Sequence, residues 1–167
     1  MSSVPATDAA LTIRPATTED LPAMADVFIA TRAAAVPAMP PSIHPPHEVH
    51  AFYAGLDLVG GDREGWVAED GRGIVAFAEL KSDWLDDLYV RPDAQGEGIG
   101  TALLEVAKSL RPGGFSLWVF ESNAPARAFY LRHGLVECEH TDGSTNEERS
   151  PDLRMEWVSE QSVGGSP

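Results

Sequence analysis

A glycine-rich turn between a strand and a helix constrains this chain more than any other feature of its sequence. Residues 84–90 are typical of a strand, Pro92 stops it, and glycines then recur at positions 96, 98 and 100. Apolar residues have helical spacing from 99 to 110, where Arg-Pro-Gly-Gly follows. Such a turn either connects two elements or presents backbone N–H groups and the positive end of a helix dipole to an anion such as pyrophosphate.

Two familiar phosphate motifs do not fit these glycines. A Rossmann fingerprint needs a small residue five positions after its first glycine, where this chain has Thr101 or Leu103. A P-loop needs a lysine after its last glycine, but the nearest lysine, Lys108, lies inside the predicted helix. The preceding strands are expected to be hairpins rather than a βαβ unit, which also disfavours a dinucleotide fold.

The remaining pattern predicts an α/β (α+β) protein with a mixed sheet and helices on both faces. Thr17 and Thr18 are candidate caps for the first helix, and five prolines within residues 36–47 exclude regular helix there. The predicted strands are 11–15, 66–68, 74–80, 84–90, 115–120, 135–140 and 153–158, and the later helices are 47–58, 99–110 and 124–133. The order is therefore β1-α1-α2-β2-β3-β4-α3-β5-α4-β6-β7.

Length and composition predict one domain at residues 11–158, with flexible tails at 1–10 and 159–167. The formal charge of −14 disfavours nucleic acid as a partner, since phosphate binding needs clustered Lys and Arg. We expect no membrane segment and no signal peptide, hence a cytoplasmic protein. Its single cysteine, Cys138, excludes an intrachain disulfide, and we interpret it as a buried strand residue.

Two blocks resemble the GNAT superfamily of N-acetyltransferases. Gln95, Gly98 and Gly100 form the pattern Gln-x-x-Gly-x-Gly after Asp-Leu-Tyr-Val-Arg-Pro at 87–92, which is similar to that family's acetyl-CoA signature. Residues 117–134 resemble its second motif, with an Asn, a Phe-Tyr pair and a helix-ending glycine. With the order of elements, the resemblance covers residues 11–158.

The resemblance implies that the central strands β4 and β5 splay apart to receive the pantetheine arm of acetyl-CoA. The backbone of residues 88–90 would pair with pantetheine like an added strand, and the turn at 95–101 would hold the pyrophosphate. The acetyl-CoA contacts expected in this way are Leu88, Tyr89, Val90, Gln95, Gly96, Glu97, Gly98, Ile99, Gly100, Thr101, Asn123, Ala126 and Tyr130.

Tyr130 is our candidate for the general acid. Expulsion of a thiolate requires a proton, and a tyrosine hydroxyl with a pKa near 10 stays protonated at neutral pH and can donate it. Asn123 lies seven residues earlier, so the two side chains project to one side of a helix, about 10 Å apart. Asn123 serves equally well as the cap of that helix, and Tyr130 as a packing residue.

The general base must take a proton from the attacking amine. Asp86, Asp87 and Glu79 lie on neighbouring predicted strands, and alternation prevents Asp86 and Asp87 from facing one cleft unless a bulge intervenes. We favour Asp86, while each of these carboxylates is also compatible with a solvated strand charge. His44, His47 and His50 mix loop and helix without fixed metal geometry, so we expect pocket or surface groups and no metal.

The predicted function is transfer of an acetyl group from acetyl-CoA to a primary amine, on a small molecule or a protein. The acidic segment 146–149 and the negative charge suit a cationic acceptor, although an exposed polar loop has the same composition. The alternatives are a CoA-binding sensor without catalysis, or a structural domain in which the turn is only a connection. Members of this family often form homodimers, and no sequence feature decides whether this chain does.

Overall fold

A computed structural model describes residues 9–160 of the chain. Its strands are β1 (Thr12–Pro15), β2 (Arg63–Asp70), β3 (Gly73–Lys81), β4 (Trp84–Val90), β5 (Phe115–Phe120), β6 (Val136–Thr141) and β7 (Asp152–Trp157). Its helices are α1 (Leu21–Ala34), α2 (Pro46–Ala54), α3 (Ile99–Leu110) and α4 (Ala124–Arg132), with short 3₁₀ turns at Thr18–Asp20 and Pro92–Ala94. The predicted order of strands and α-helices is confirmed. The predicted tails lie outside the described residues, apart from positions 9–10 and 159–160.

Within residues 9–160, seven strands form one mixed sheet in the order β1-β2-β3-β4-β5-β7-β6. Every neighbouring pair is antiparallel except β4 and β5, which are parallel. The register of β4 and β5 contains the single pair Trp84 and Ser116, whereas β5 pairs with β7 over six positions. The two central strands therefore meet at their first residues and separate beyond them, as the sequence predicted.

Two hydrophobic clusters cover the two faces of the sheet. Helices α1 and α2 pack on one face through a cluster centred on Met24, Tyr53 and Phe77. Helix α3 packs on the other face through Leu103 and Leu104, and α4 adds partly buried residues to the same cluster. Complete burial of these side chains supplies most of the folding free energy. None of the helices within residues 9–160 has the length and apolar content needed to cross a bilayer.

Two local predictions were wrong. Helix α2 ends at Ala54 rather than at residue 58, because the chain turns at Gly55. Cys138 is exposed, not buried. It lies in the edge strand β6, where Glu137 pairs with Met155 and Glu139 with Arg154, so that Cys138 is the extra residue of a β-bulge and turns away from the core.

The start of β5 generates a prediction about stability. Gly114 has φ +114°, and a Cβ there would lie 2.5 Å from the carbonyl oxygen of Trp157 on β7, whereas a Cβ on the adjacent Gly113 would meet no atom within 4 Å. We expect Gly114→Ala to lower the free energy of unfolding by about 2 kcal/mol or more, because backbone strain and a clash combine. Gly113→Ala is the matched control and should change stability by less than about 1 kcal/mol. Equal urea midpoints for the two variants would contradict this account.

Candidate active site

The divergence of β4 and β5 opens a cleft of about 900 Å³. Strands β4 and β5 form its two sides, and the turn before α3 and the cleft-facing residues of α4 line it. The last residue of α1 and the segment after it contribute residues 34–39. In the cleft, β4 and β5 are not hydrogen-bonded to each other. The backbone N–H and C=O groups on this edge of β4 are therefore available to a ligand.

The turn before α3 has the geometry expected of an anion site. Gly96 and Gly98 have φ values of +79° and +84°, a region that glycine adopts without strain. Gly98 precedes the first helical residue, Ile99, and no side chain among the described residues caps the helix. The first N–H groups of α3 are therefore left to bind a ligand or water, with the positive end of the helix dipole behind them.

Most of the predicted acetyl-CoA contacts line this cleft. The residues that do so are Leu88, Tyr89, Val90, Gln95, Gly96, Gly98, Ile99, Gly100, Thr101, Asn123, Ala126 and Tyr130. Glu97 is not among the lining residues, and its carboxylate accepts two hydrogen bonds from Arg72, at 3.0 and 3.1 Å. This ion pair holds the acidic side chain of the turn against Arg72.

The carbonyl group of Val90 is already engaged within the protein. It accepts hydrogen bonds from the Gln95 side chain at 3.0 Å and from the Thr31 hydroxyl at 3.2 Å. These contacts use both lone pairs of the oxygen. They fix the turn and α1 against the end of β4, and they leave the pairing of a ligand to the other backbone groups of this strand.

Asn123 and Tyr130 both line the cleft, as the motif predicted. Asn123 also caps α4, since its Oδ1 accepts from the Ala126 N–H at 3.4 Å. Its amide NH₂ group is a separate donor. Phe129 and Tyr130 both line the cleft, with ring centroids 5.3 Å apart. Burial raises the pKa of the Tyr130 hydroxyl above its usual value, and the negative charge of Asp87 raises it further, so the group remains protonated.

A β-bulge separates the two aspartates of β4. Glu79 pairs with Asp87 and Leu80 with Leu85, so Asp86 is the extra residue. Asp86 lines the cleft with 39% of its side chain exposed, and it lies 3.6 Å from Arg63. Partial burial raises the pKa of its carboxyl, an effect that Arg63 opposes. Of the two aspartates of β4, Asp86 is therefore the one that a molecule in the cleft can reach.

Asp87 is turned toward the other face of the sheet. Its Oδ2 accepts a hydrogen bond of 3.0 Å from the hydroxyl of Tyr53 on α2. Burial raises the pKa of Asp87 to about 6, and the neighbouring Asp86 adds to this effect, while the hydrogen bond from Tyr53 opposes it. Glu79 is fully buried and forms an ion pair with Arg63. It does not line the cleft.

The histidines and the acidic loop contact each other. His44 lies 2.9 Å from Glu48 and 3.1 Å from Glu147, and both carboxylates raise the pKa of its imidazole. His50 lies 3.1 Å from Asp26. Within residues 9–160 no group of three or more His, Cys, Asp or Glu is arranged to hold a metal ion. The loop between β6 and β7 is thus joined to the segment before α2.

One basic residue of the cleft was missed by the sequence argument. Arg132, the last residue of α4, lines the cleft, and it forms no ion pair among the described residues. By contrast, Arg72 is paired with Asp70 and Glu97, and Arg91 with Asp93. Arg132 follows Phe129 by three residues, a spacing that places both side chains on one face of the helix, and this was the available signal.

Comparison with known sequences places this geometry in a family. Residues 61–137 match the family model described as an acetyltransferase (GNAT) domain. A 70-residue segment is 40% identical to peptidyl-lysine N-acetyltransferase YjaB of Salmonella typhimurium, covering 41% of this chain. The segment spans 48%, about half, of that relative's length.

Solved structures share the whole fold. Apo-YjaB from Escherichia coli superposes with a TM-score of 0.71 at 24% identity, over 90% of this chain and 99% of that one. The PaiA N-acetyltransferase of Thermoplasma acidophilum, solved with coenzyme A, gives 0.63 at 22% identity, over 90% and 99% of the two chains. The family-model match over residues 61–137, the sequence relative and the cleft between diverging strands agree, and together they support a GNAT superfamily acetyltransferase.

Proposed function

We propose that this protein transfers the acetyl group of acetyl-CoA to a primary amine by direct attack. The observation that carries the proposal is the cleft itself, which combines an uncapped helix start, an open strand edge and a protonated tyrosine. Calorimetry with acetyl-CoA, followed by thiol release over a panel of amines, tests it. Binding without thiol release would favour a CoA-binding sensor, and no binding would favour a structural domain.

The residues of the cleft fit the donor chemically. The N–H groups at the start of α3 suit a pyrophosphate, since Gly96 and Gly98 bring the backbone close to a ligand. The edge of β4 at Leu88 and Tyr89 suits an amide-containing arm that pairs like a strand. Acetyl-CoA, when bound, supplies a thioester whose carbonyl carbon the amine attacks.

Two side chains then move protons. Asp86 accepts a proton from the ammonium group of the acceptor, either directly or through water, which frees the nitrogen lone pair for attack. The C–N bond forms, the C–S bond breaks, and the Tyr130 hydroxyl donates its proton to the departing sulfur. The new amide nitrogen then releases its remaining extra proton, which returns the Tyr130 oxygen to its protonated form. Because burial and Asp87 hold the Tyr130 hydroxyl in its protonated form, the acid is ready at neutral pH.

The acceptor is an amine in this proposal. The relative named peptidyl-lysine N-acetyltransferase supports that class, and a negatively charged protein attracts ammonium groups. The carboxylates of the β6–β7 loop are in contact with His44 and Arg32, so the loop's acidity is partly compensated within the chain. A cytoplasmic location remains a prediction from sequence, and a homodimer remains an expectation from the family resemblance.

Replacement of Tyr130 by Phe tests the acid. The variant keeps the ring but removes the donor, so we expect turnover to fall by roughly one to three orders of magnitude while the Kd for acetyl-CoA stays within about twofold. Steady-state thiol release and calorimetry measure the two quantities. Phe129→Leu is a control for altered packing beside the same cleft. An unchanged kcat in Tyr130→Phe would remove this hydroxyl from the mechanism.

Replacement of Arg132 by Gln tests the role of the cleft's free cation. Loss of a charge near a polyanion should raise the Kd for acetyl-CoA about fivefold at low salt, and less at high salt, where the attraction is screened. Arg127→Gln is matched for net charge on the same helix, but Arg127 is paired with Glu137 and should affect the Kd less. Equal effects of the two variants would show that only net charge matters.

Replacement of Asp87 by Asn tests the electrostatics beneath the site. The pKa of Asp87 is raised to about 6, so the folded chain binds this proton more tightly than the unfolded chain. Stability is therefore lost as pH rises from about 4 to about 6 and stays lost above it. The Asn variant still accepts from Tyr53 without a charge, and at pH 8 its free energy of unfolding should exceed that of wild type by up to about 3 kcal/mol.

The control for this experiment has the opposite sign. Arg91 lowers the pKa of Asp93, so Asp93→Asn should lose stability above pH 4 rather than gain it. Urea unfolding at pH 4 and pH 8 separates the two variants. If Asp87→Asn were less stable than wild type at pH 8, the charged carboxylate would stabilise the fold. The inference that burial of this charge destabilises it would then be wrong.

A further inference from the structure

A second cavity adjoins the cleft and contains a buried arginine. The cavity measures about 440 Å³ and lies between α1, the proline-rich segment and α2. Arg32 of α1 forms part of its wall, with only 6% of the side chain exposed. A guanidinium is rarely buried to this degree without a closely bound anion.

The charge of Arg32 is incompletely compensated. Its Nη2 donates to the carbonyl oxygen of Pro40 at 3.1 Å and lies 3.5 Å from Oε1 of Glu148. The second distance exceeds the 2.7–2.9 Å that is usual for a charge-assisted N–H···O bond. The Nε of Arg32 is buried and has no hydrogen-bond partner among the described residues. A carboxylate that bound this guanidinium in the bidentate manner would correct both deficits.

Arg32 lies between the second cavity and the acetyl-CoA cleft. Its guanidinium carbon is 5.6 Å from the ring centroid of Phe28, which lines the cavity, and 5.6 Å from that of Phe120, which lines the cleft. Burial and the charge of Asp87 raise the pKa of the Tyr89 hydroxyl, and the positive charge of Arg32 opposes this rise. A ligand held by Arg32 would therefore lie beside the place where the acetyl group is transferred.

The rest of the cavity is mainly apolar. Its walls include Ile29, Val36, Ile43 and Val49, from α1, the proline-rich segment and α2. This lining suits a hydrocarbon group rather than a second charge. Asp86 supplies a carboxylate on the cleft side, where an ammonium group is expected.

We propose that the acceptor is an amine that also carries a carboxylate and an apolar group, as an amino acid with an apolar side chain does. The carboxylate binds Arg32 in place of Glu148, the apolar group enters the cavity, and the ammonium group faces Asp86. Such a molecule has no net charge, so the charge of −14 does not repel it as it would repel a simple anion. The inference names the substrate class of the acetyl transfer proposed above and rests on it.

The test compares amines that differ only in the carboxylate. The panel contains leucine, methionine and phenylalanine, each with its carboxamide, and kcat/KM is measured by thiol release at saturating acetyl-CoA. The amide has the less basic amino group and hence more free amine at neutral pH, so a preference for the acid does not come from amine basicity. We expect wild type to prefer the acids by about tenfold or more, the usual range for a hydrogen bond to a charged group.

Two variants distinguish ligand binding from a structural ion pair. Arg32→Gln should lose the preference, with kcat/KM falling at least tenfold for the acids and by less than about threefold for the amides. Glu148→Gln removes the competing carboxylate and should keep or increase the preference. If Arg32 served only to hold Glu148, both variants would lower activity equally on acids and amides.

Failure of this inference is distinguishable from failure of the proposed function. No thiol release with any amine, together with no heat of binding for acetyl-CoA, would refute the acetyl transfer itself. Activity that is equal on acids and amides, or greater on a lysine peptide with blocked ends, would overturn only the role of Arg32. Should Arg32→Gln fail to fold, the wild-type preference, Glu148→Gln and the charge-conserving Arg32→Lys decide the question.

Discussion

The parallel pairing of β4 with β5 at Trp84 and Ser116 is the constraint on which the site depends. The two strands pair at that point, and beyond it each strand is held by other partners. β5 is paired along its length with β7, while the end of β4 is tied to α1 through Thr31 and to the turn through Gln95. The gap is therefore built into the hydrogen bonding of the sheet and does not require a ligand to hold it open.

The electrostatics of the cleft are local rather than global. Under the proposed function, this acidic protein binds a polyanionic donor mainly with backbone N–H groups, because its basic residues are few and, within residues 9–160, mostly paired with carboxylates. Arg72 and Arg91 illustrate this, since each is paired with an aspartate of the same region. Under the proposed function, Arg132 and the N–H groups in the first turn of α3 bind the phosphates of the donor, which a basic surface does in other nucleotide-binding proteins.

The sequence was most informative where the pattern is long and regular. Helix α3 and strand β5 have the predicted bounds, because apolar periodicity and glycine or proline stops coincide there. The bulges at Asp86 and Cys138 were not predictable, since the polar residues next to them hide the shift in alternation that an extra residue causes.

Contacts between distant parts of the chain were also out of reach of sequence reasoning. Arg32 and Glu148 are separated by 116 positions, and only the fold brings the proline-rich segment and the β6–β7 loop to the same place. The burial that raises the pKa of Asp87 likewise depends on the packing of α2 over the sheet. Asp86 and Asp87 are the same residue type and adjacent in sequence, so their residue type could not show which of them lines the cleft.

Under the proposed function, the interrupted ladder would also couple the stability of the fold to the supply of the acetyl donor. A donor that paired with the free edge of β4 would act as a temporary strand between β4 and β5, whose backbones pair at one position only. Since a ligand that binds only the folded chain stabilises it by RT ln(1 + [L]/Kd), the abundance of this protein in the cell would follow the supply of activated acetyl groups. Chains that lack donor would unfold, and be degraded, more often than those that carry it.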